Sequence, residues 1–175
     1  WTGLVDKLTT SLSSNDSPDI VEMGNTQAAA FTSSGALINL DDIYDSLGGD
    51  DLLPGFVEAG TWEGSLYAAP YYSGARVAFY NTAQYEQAGV AVPTTLDEYV
   101  SNGTALAAAL PGVSGVWFPG KDWYNALPFV WENGGEVAVQ TEDGSWDAQL
   151  SSDESIAGLE QVQQLITTAS LAPKD

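Results

Sequence analysis

Aromatic rings and short polar side chains occur together at three places along this chain. Residues 25–27 are Asn-Thr-Gln, residues 71 and 72 are both Tyr, and residues 122–124 are Asp-Trp-Tyr. Flat rings pack on the apolar C–H faces of a pyranose, while amides and carboxylates hydrogen-bond its hydroxyls. These residue types therefore favour carbohydrate binding. The candidate residues on this ground are Asn25, Thr26, Gln27, Tyr72, Asp122, Trp123 and Tyr124.

Each candidate also has a structural interpretation. Asn25 or Thr26 could cap a helix, and Asp122 stands where a helix N-cap is expected. Phe129 and Trp131 are interpreted as core residues. Arg76, which is the only arginine in the sequence, is expected to pair with a carboxylate.

Composition excludes several classes of function. Twenty-four acidic residues against four basic ones give a net charge of −20, which disfavours phosphate backbones and anionic membranes. The sequence has no cysteine and no histidine, so a disulfide, a thiolate site and a Ser-His-Asp triad are impossible. No cofactor is predicted. No metal is predicted either, because the acidic, glycine-rich stretch 41–55 lacks the spacing of a calcium loop and instead suits a solvated helix and loop.

The elements that would position these residues alternate between helix and strand. Helices are predicted over residues 3–14, 28–35, 82–88, 95–110 and 122–132, and from a capping box of Ser151 and Glu154. Strands are predicted at 20–23, where the strand would be buried and parallel, and at 66–69, 77–80, 113–118 and 136–139. This alternation indicates an α/β fold, in which ligands gather beyond the carboxyl ends of strands. The best boundary lies between Tyr72 and Arg76, which divides the chain into domains 1–75 and 76–175.

Two other functions remain open from the residues alone. Glu22, Glu63, Asp122 and Glu132 could supply the paired carboxylates of a glycoside hydrolase. A surface module that adheres to a polysaccharide would use the same rings. Assays of turnover and of binding to insoluble polymer would separate these functions from capture of a soluble sugar.

The order of several motifs resembles a known family. The chain resembles the extracellular sugar-binding proteins of ABC importers, of the maltodextrin-binding type. Four segments carry the resemblance: Pro18-Asp19-Ile20-Val21, residues 64–81, the connector "VAVPTTL" at 90–96 and residues 123–135. The string "EMGNTQ" at 22–27 resembles actinobacterial and related Gram-positive members that import di- or oligosaccharides. The resemblance covers essentially the whole chain.

The resemblance implies a periplasmic-binding-protein-like fold, with parts of two α/β lobes joined by a crossing strand. Residues 1–75 would belong to lobe I and residues 76–175 to lobe II, and the lobes would close on a sugar by hinge motion. Contacts to the sugar would come from Asn25, Thr26 and Gln27, from Tyr72, Ser73 and Gly74 on the crossing strand, and from Asp122, Trp123 and Tyr124. Some members carry a carboxylate on that strand, where this chain has Ser73-Gly74.

The implied protein is not an enzyme and needs no cofactor. Its partners would be a mono- to oligosaccharide and the membrane permease of the importer, with no nucleic acid. It would be an extracellular lipoprotein in a Gram-positive organism, or periplasmic in a Gram-negative one. Members run to about twice this length, and this chain begins on Trp1, so we expect a fragment that lacks the first strand, the lipid-modified cysteine and the carboxyl-terminal half.

Overall fold

The computed structural model describes residues 3–14 and 16–174. Within these residues the chain forms two compact units, the first running to Ala75 and the second beginning at Arg76. The assignment of the two units to lobes I and II stays a prediction. None of the helices in the described residues is both long enough and apolar enough to cross a membrane.

The first unit is built from three helices and one small hairpin. Its helices are α1 (Leu4–Leu12), α2 (Asn25–Ser33) and α3 (Pro54–Ala59), and its strands are β1 (Thr61–Trp62) and β2 (Ser65–Leu66). Three 3₁₀ turns, Asp41–Ile43, Asp45–Leu47 and Gly49–Asp51, lie between α2 and α3. The strands pair antiparallel, with Thr61 opposite Leu66.

The interior of the first unit is small. Leu8, Phe31 and Leu66 are buried, and α2 packs against α3 and β1. Asp41 attaches the acidic stretch to this interior, because its Oδ1 accepts a hydrogen bond from the Leu66 amide at 2.8 Å. Its Oδ2 accepts another from Asn39 Nδ2 at 2.9 Å, and these bonds lower the pKa of the Asp41 carboxyl. This carboxylate therefore has a structural partner on each oxygen.

The second unit contains four helices and one hairpin. Its helices are α4 (Thr82–Ala88), α5 (Leu96–Ala109), α6 (Trp123–Glu132) and α7 (Asp153–Gln164), and its strands are β3 (Ala138–Gln140) and β4 (Trp146–Ala148). A π-helical turn, Leu165–Ala169, continues α7. The strands pair antiparallel, with Val139 opposite Asp147.

The core of the second unit lies where α5, α6 and α7 meet. Its buried residues are Val100, Val116, Phe118, Phe129, Val162, Leu165 and Ala169. Gly158 of α7 faces the backbone of α6 so closely that a Cβ there would lie 2.6 Å from the carbonyl carbon of Phe129. The absence of a side chain at Gly158 therefore sets the distance between these two helices.

Most predicted helices are confirmed, although not every predicted cap is. Thr95 caps α5 by accepting from the Glu98 amide at 3.1 Å, and Glu98 Oε2 in turn accepts from the Thr94 amide at 2.7 Å. The predicted cap of α7 is wrong by one residue. Ser152, rather than Ser151, accepts from the Ser155 amide at 3.2 Å.

Several predicted strands are wrong for the described chain. Residues 20–23, 77–80 and 113–118 belong to no strand, and of 66–69 only Leu66 does. A strand exists through hydrogen bonds to a neighbour, and Ile20, predicted to be buried, is 91% exposed. Residues 113–118 instead bind the π-helical turn, since the Gly115 amide donates to the Ala169 carbonyl at 2.8 Å.

Candidate functional site

The polar candidates of the first unit lie in the first turn of α2. Gln27 closes this helix end, because its Oε1 accepts from the Gly24 amide at 3.2 Å. Gly24 is the N-cap, so the interpretation of Asn25 or Thr26 as the capping residue is wrong. Asn25 and Thr26 are exposed, and their side chains are not needed as the cap.

Tyr72 meets the segment that precedes α2. The Glu22 carboxylate raises the pKa of the Tyr72 hydroxyl. Hydrogen bonding to that hydroxyl is the larger cause, and the negative charge of Glu22 is the smaller one. The Tyr71 ring packs edge-on to the Tyr72 ring, with centroids 5.7 Å apart. The Glu22 side chain therefore lies near Tyr72, one of the predicted site residues.

Glu22 was not among the predicted binding residues. The sequence suggested it only as one of several carboxylates for a hydrolase, and its place two residues before Gly24 was the available signal. Ser73 and Gly74, by contrast, are exposed and lie outside every helix and strand. The structure gives them no further definition.

The candidates of the second unit form the beginning of α6. Asp122 is the N-cap, and its Oδ1 accepts from the Asn125 amide at 3.3 Å while its Oδ2 accepts from Asn125 Nδ2 at 2.6 Å. The N-cap interpretation of Asp122 is therefore confirmed. Each carboxylate oxygen keeps a further lone pair, so capping and hydrogen bonding to a hydroxyl are compatible.

Trp123 and Tyr124 stack on each other directly after this cap. Their ring centroids are 3.7 Å apart and their planes differ by 24°. Trp123 is 49% exposed and Tyr124 45%. Two large rings are thus held together at the surface, and Asp122 directly precedes them in sequence; exposed rings and polar groups of this kind suit a pyranose.

Arg76, the first residue of the second unit, contacts the Tyr124 ring of this pair. Its guanidinium carbon lies 5.3 Å from the centroid of the Tyr124 ring, within the range of a cation–π contact. Where the sequence predicted a carboxylate partner for Arg76, the described residues show a contact with the face of a ring. We call Arg76, Trp123 and Tyr124 the aromatic cluster.

The other aromatic and acidic residues considered in the sequence do not extend the two groups of candidate binding residues. Phe129 is buried, as predicted, whereas Trp131 is 52% exposed, so its interpretation as a core residue is wrong. A shallow depression of the first unit, lined by Tyr44, Leu52 and Val57 among others, includes none of the predicted site residues. Within residues 3–14 and 16–174, no three acidic side chains are grouped so as to hold a metal ion.

Comparison with known protein families connects these groups to a class of protein. Residues 1–174 match the family described as bacterial extracellular solute-binding protein. The chain belongs to this family. The resemblance noted in the sequence is therefore confirmed, and the family consists of solute-binding proteins rather than enzymes.

A curated relative shares this family. The diacetylchitobiose binding protein DasA of Streptomyces coelicolor is 31% identical over 176 residues, covering 100% of this chain. Only 40% of that relative is covered, so the chain spans less than half of its length.

Solved structures show the same fold. The GacH receptor of Streptomyces glaucescens, solved both unliganded and with acarbose, matches with a TM-score of 0.78 and 22% identity over 100% of this chain and 45% of its own. UgpB from Mycobacterium tuberculosis, solved with glycerophosphocholine, matches with a TM-score of 0.75 and 24% identity over 98% and 46%. The predicted fold class, a periplasmic-binding-protein-like α/β fold, is confirmed.

Proposed function

We propose that this chain is part of the carbohydrate-binding component of an ABC importer. The protein captures a di- or oligosaccharide outside the cell and delivers it to a membrane permease, without catalysis. The observation that carries the proposal is the stacked, exposed pair of Trp123 and Tyr124 beside the Asp122 carboxylate, in a chain of the solute-binding family.

Two relatives support a sugar as the ligand. DasA is named for binding diacetylchitobiose, and the GacH structures include a complex with acarbose. UgpB, with glycerophosphocholine, shows that a similar fold accepts a ligand of another class. The aromatic platform is the feature of this chain that favours the sugar, because the C–H faces of a pyranose match flat rings.

The binding contacts divide between the two units. The second unit supplies the rings of Trp123 and Tyr124 and the carboxylate of Asp122. The first supplies Asn25, Thr26, Gln27, Tyr72, Ser73 and Gly74, to which the contact with Tyr72 adds Glu22. That both sets close on the same sugar stays a prediction from the sequence.

Selectivity would come from hydroxyl partners. A sugar hydroxyl that is buried without a hydrogen bond costs roughly 1–3 kcal/mol, so the polar groups decide which sugar is retained. For location, we propose a lipid-anchored protein at the surface of a Gram-positive cell, or a periplasmic one in a Gram-negative cell.

A thermal-shift screen of the full-length protein tests this function. The panel contains diacetylchitobiose, acarbose, maltotriose, cellobiose and glycerophosphocholine. A ligand that binds only the folded protein raises the melting temperature by mass action, with about 2.7 kcal/mol of stabilisation at 100 times Kd. We expect a shift with at least one of the sugars, and a shift with glycerophosphocholine alone would contradict a carbohydrate ligand.

The two alternative functions are tested on the same protein. Sustained release of the aryl group from aryl glycosides would indicate a hydrolase that uses paired carboxylates. Retention on insoluble polysaccharide without binding of short sugars would indicate an adhesion module. We expect neither result.

A further inference from the structure

We propose that Arg76 is a positioning residue that fixes the Trp123–Tyr124 pair so that one outer face of Trp123 is presented to the sugar. This inference rests on the proposed sugar-binding function of the same rings. It assigns different roles to the three residues of the aromatic cluster. Trp123 would contact the ligand, Tyr124 would support Trp123, and Arg76 would hold Tyr124.

The geometry of the stack leads to this division. With centroids 3.7 Å apart and a 24° angle between planes, the indole covers one face of the Tyr124 ring. An indole at that distance leaves no space for a second group on the same face, since 3.5–4.0 Å is the contact distance of carbon atoms. On this steric ground we place the Arg76 guanidinium, whose central carbon is 5.3 Å from the same centroid, over the opposite face.

Both faces of Tyr124 are consequently occupied, and its remaining exposure is at the ring edge and the hydroxyl. Tyr124 covers one face of the Trp123 ring. A pyranose needs an open ring face for its C–H groups. Within the aromatic cluster, the outer face of the indole is the one that the contacts leave for the ligand.

Fixing the rings before the ligand arrives increases affinity. Exposed aromatic side chains change rotamer readily, and ordering a side chain on binding opposes association. The cation over Tyr124 favours the observed arrangement of the two rings, as cation–π contacts at exposed sites do. Arg76 also directly follows Ala75, the last residue of the first unit, so the contact ties the start of the second unit to α6.

Substitution of Arg76 in the full-length protein tests the proposal. We expect Arg76→Gln to weaken binding of diacetylchitobiose or acarbose about two- to fivefold, the change that an exposed cation–π contact supports. Arg76→Lys, which keeps a cation, should restore most of the affinity. Lys121→Gln is the matched control, since it removes a charge next to Asp122 and should leave affinity unchanged.

A double substitution separates positioning from direct contact with the sugar. If Arg76 acts through the ring, Arg76→Gln should have no further effect in a Tyr124→Leu background. An equal loss in both backgrounds would overturn the proposal, because Arg76 would then contact the ligand itself. An equal loss from Lys121→Gln would overturn it too, since charge alone would explain the effect.

A measurement that needs no ligand tests the positioning role independently of the proposed function. The stacked rings should give a near-ultraviolet circular dichroism band that Trp123→Ala removes, Arg76→Gln reduces and Lys121→Gln retains. An unchanged band in Arg76→Gln would overturn the positioning role even if sugar binds. If the band falls as expected and no sugar binds, the proposed function fails while the contact stands.

Discussion

Trp123 is the residue on which sugar affinity should depend most strongly. It is partly exposed at the first position of α6, directly after the N-cap Asp122. Buried aromatic anchors at interfaces commonly contribute 1 kcal/mol or more. We expect Trp123→Ala to weaken sugar binding by at least about 1 kcal/mol, roughly a fivefold rise in Kd by calorimetry.

Trp146→Ala is the matched control for that substitution. Trp146 is an exposed tryptophan of the same unit, but it lies on β4 and outside the aromatic cluster. Its replacement should leave the sugar affinity within error. Equal losses of sugar affinity from the two substitutions would mean that Trp123 on α6 does not contribute specifically to the binding site.

Asp143 is the residue whose ionisation the fold perturbs most clearly. Its Oδ1 accepts hydrogen bonds from Thr141 Oγ1 at 2.6 Å and from the Ser145 hydroxyl and amide, which lower the pKa from 3.8 to about 2. A folded-state pKa below the unfolded value contributes stability above about pH 4. That contribution is lost as the pH falls through about 2.

Titration by NMR should therefore give Asp143 a pKa of about 2. Thr141→Val removes the first donor and should raise that pKa toward 3.8, whereas Thr141→Ser keeps a hydroxyl and should hold it low. An ordinary pKa for Asp143 in the unsubstituted protein would show that Thr141 and Ser145 do not hydrogen-bond its carboxylate.

Individual site residues were partly predictable. The interpretation of Asp122 as an N-cap was correct, because a cap acts on its own helix turn. The contacts of Glu22 with Tyr72 and of Arg76 with Tyr124 were not predictable, since each joins segments 48 or more residues apart. A chain that offers twenty-four carboxylates gives no local reason to select Glu22.

The packing of α6 on α7 depends on Gly158. A Cβ at this position would collide with the Phe129 carbonyl group, so the two helices would have to separate. Overpacking of this kind costs about 1–3 kcal/mol. We expect Gly158→Ala to lower the urea midpoint of unfolding accordingly.

Gly55→Ala provides the comparison in a second helix. Gly55 lies in α3, and a Cβ there would meet no atom within 4 Å. The same substitution should be neutral or stabilise by up to about 1 kcal/mol through helix propensity. If both variants unfold at the same urea concentration, the close approach of α6 and α7 does not determine stability.

Helices were predicted better than strands, for a physical reason. The caps of α5 and α6 and the glycine that ends α4 act on their own turn, so Thr95, Asp122 and Gly89 signal helix ends locally. Residues 77–80 have the β-branched and aromatic composition of a strand, yet a strand also requires a hydrogen-bonded neighbour. Within the described residues that neighbour is not found, and Phe79 is exposed.

At the scale of the whole molecule, motif order was more informative than any single motif. The sequence of short strings from Pro18 to Gly135 identified the family, which the match over residues 1–174 confirms. The identity of the sugar did not follow, because it depends on the placement of a few hydroxyl partners. The proposed partners belong to two units, and their cooperation on a single ligand stays a prediction.

Isothermal titration of the full-length protein with diacetylchitobiose, acarbose, maltotriose and cellobiose tests the central claim most directly. We predict a saturable isotherm with one sugar per protein for at least one of them, weakened in Trp123→Ala and retained in Trp146→Ala. Absence of saturable binding to every sugar, with the protein folded, would contradict the account.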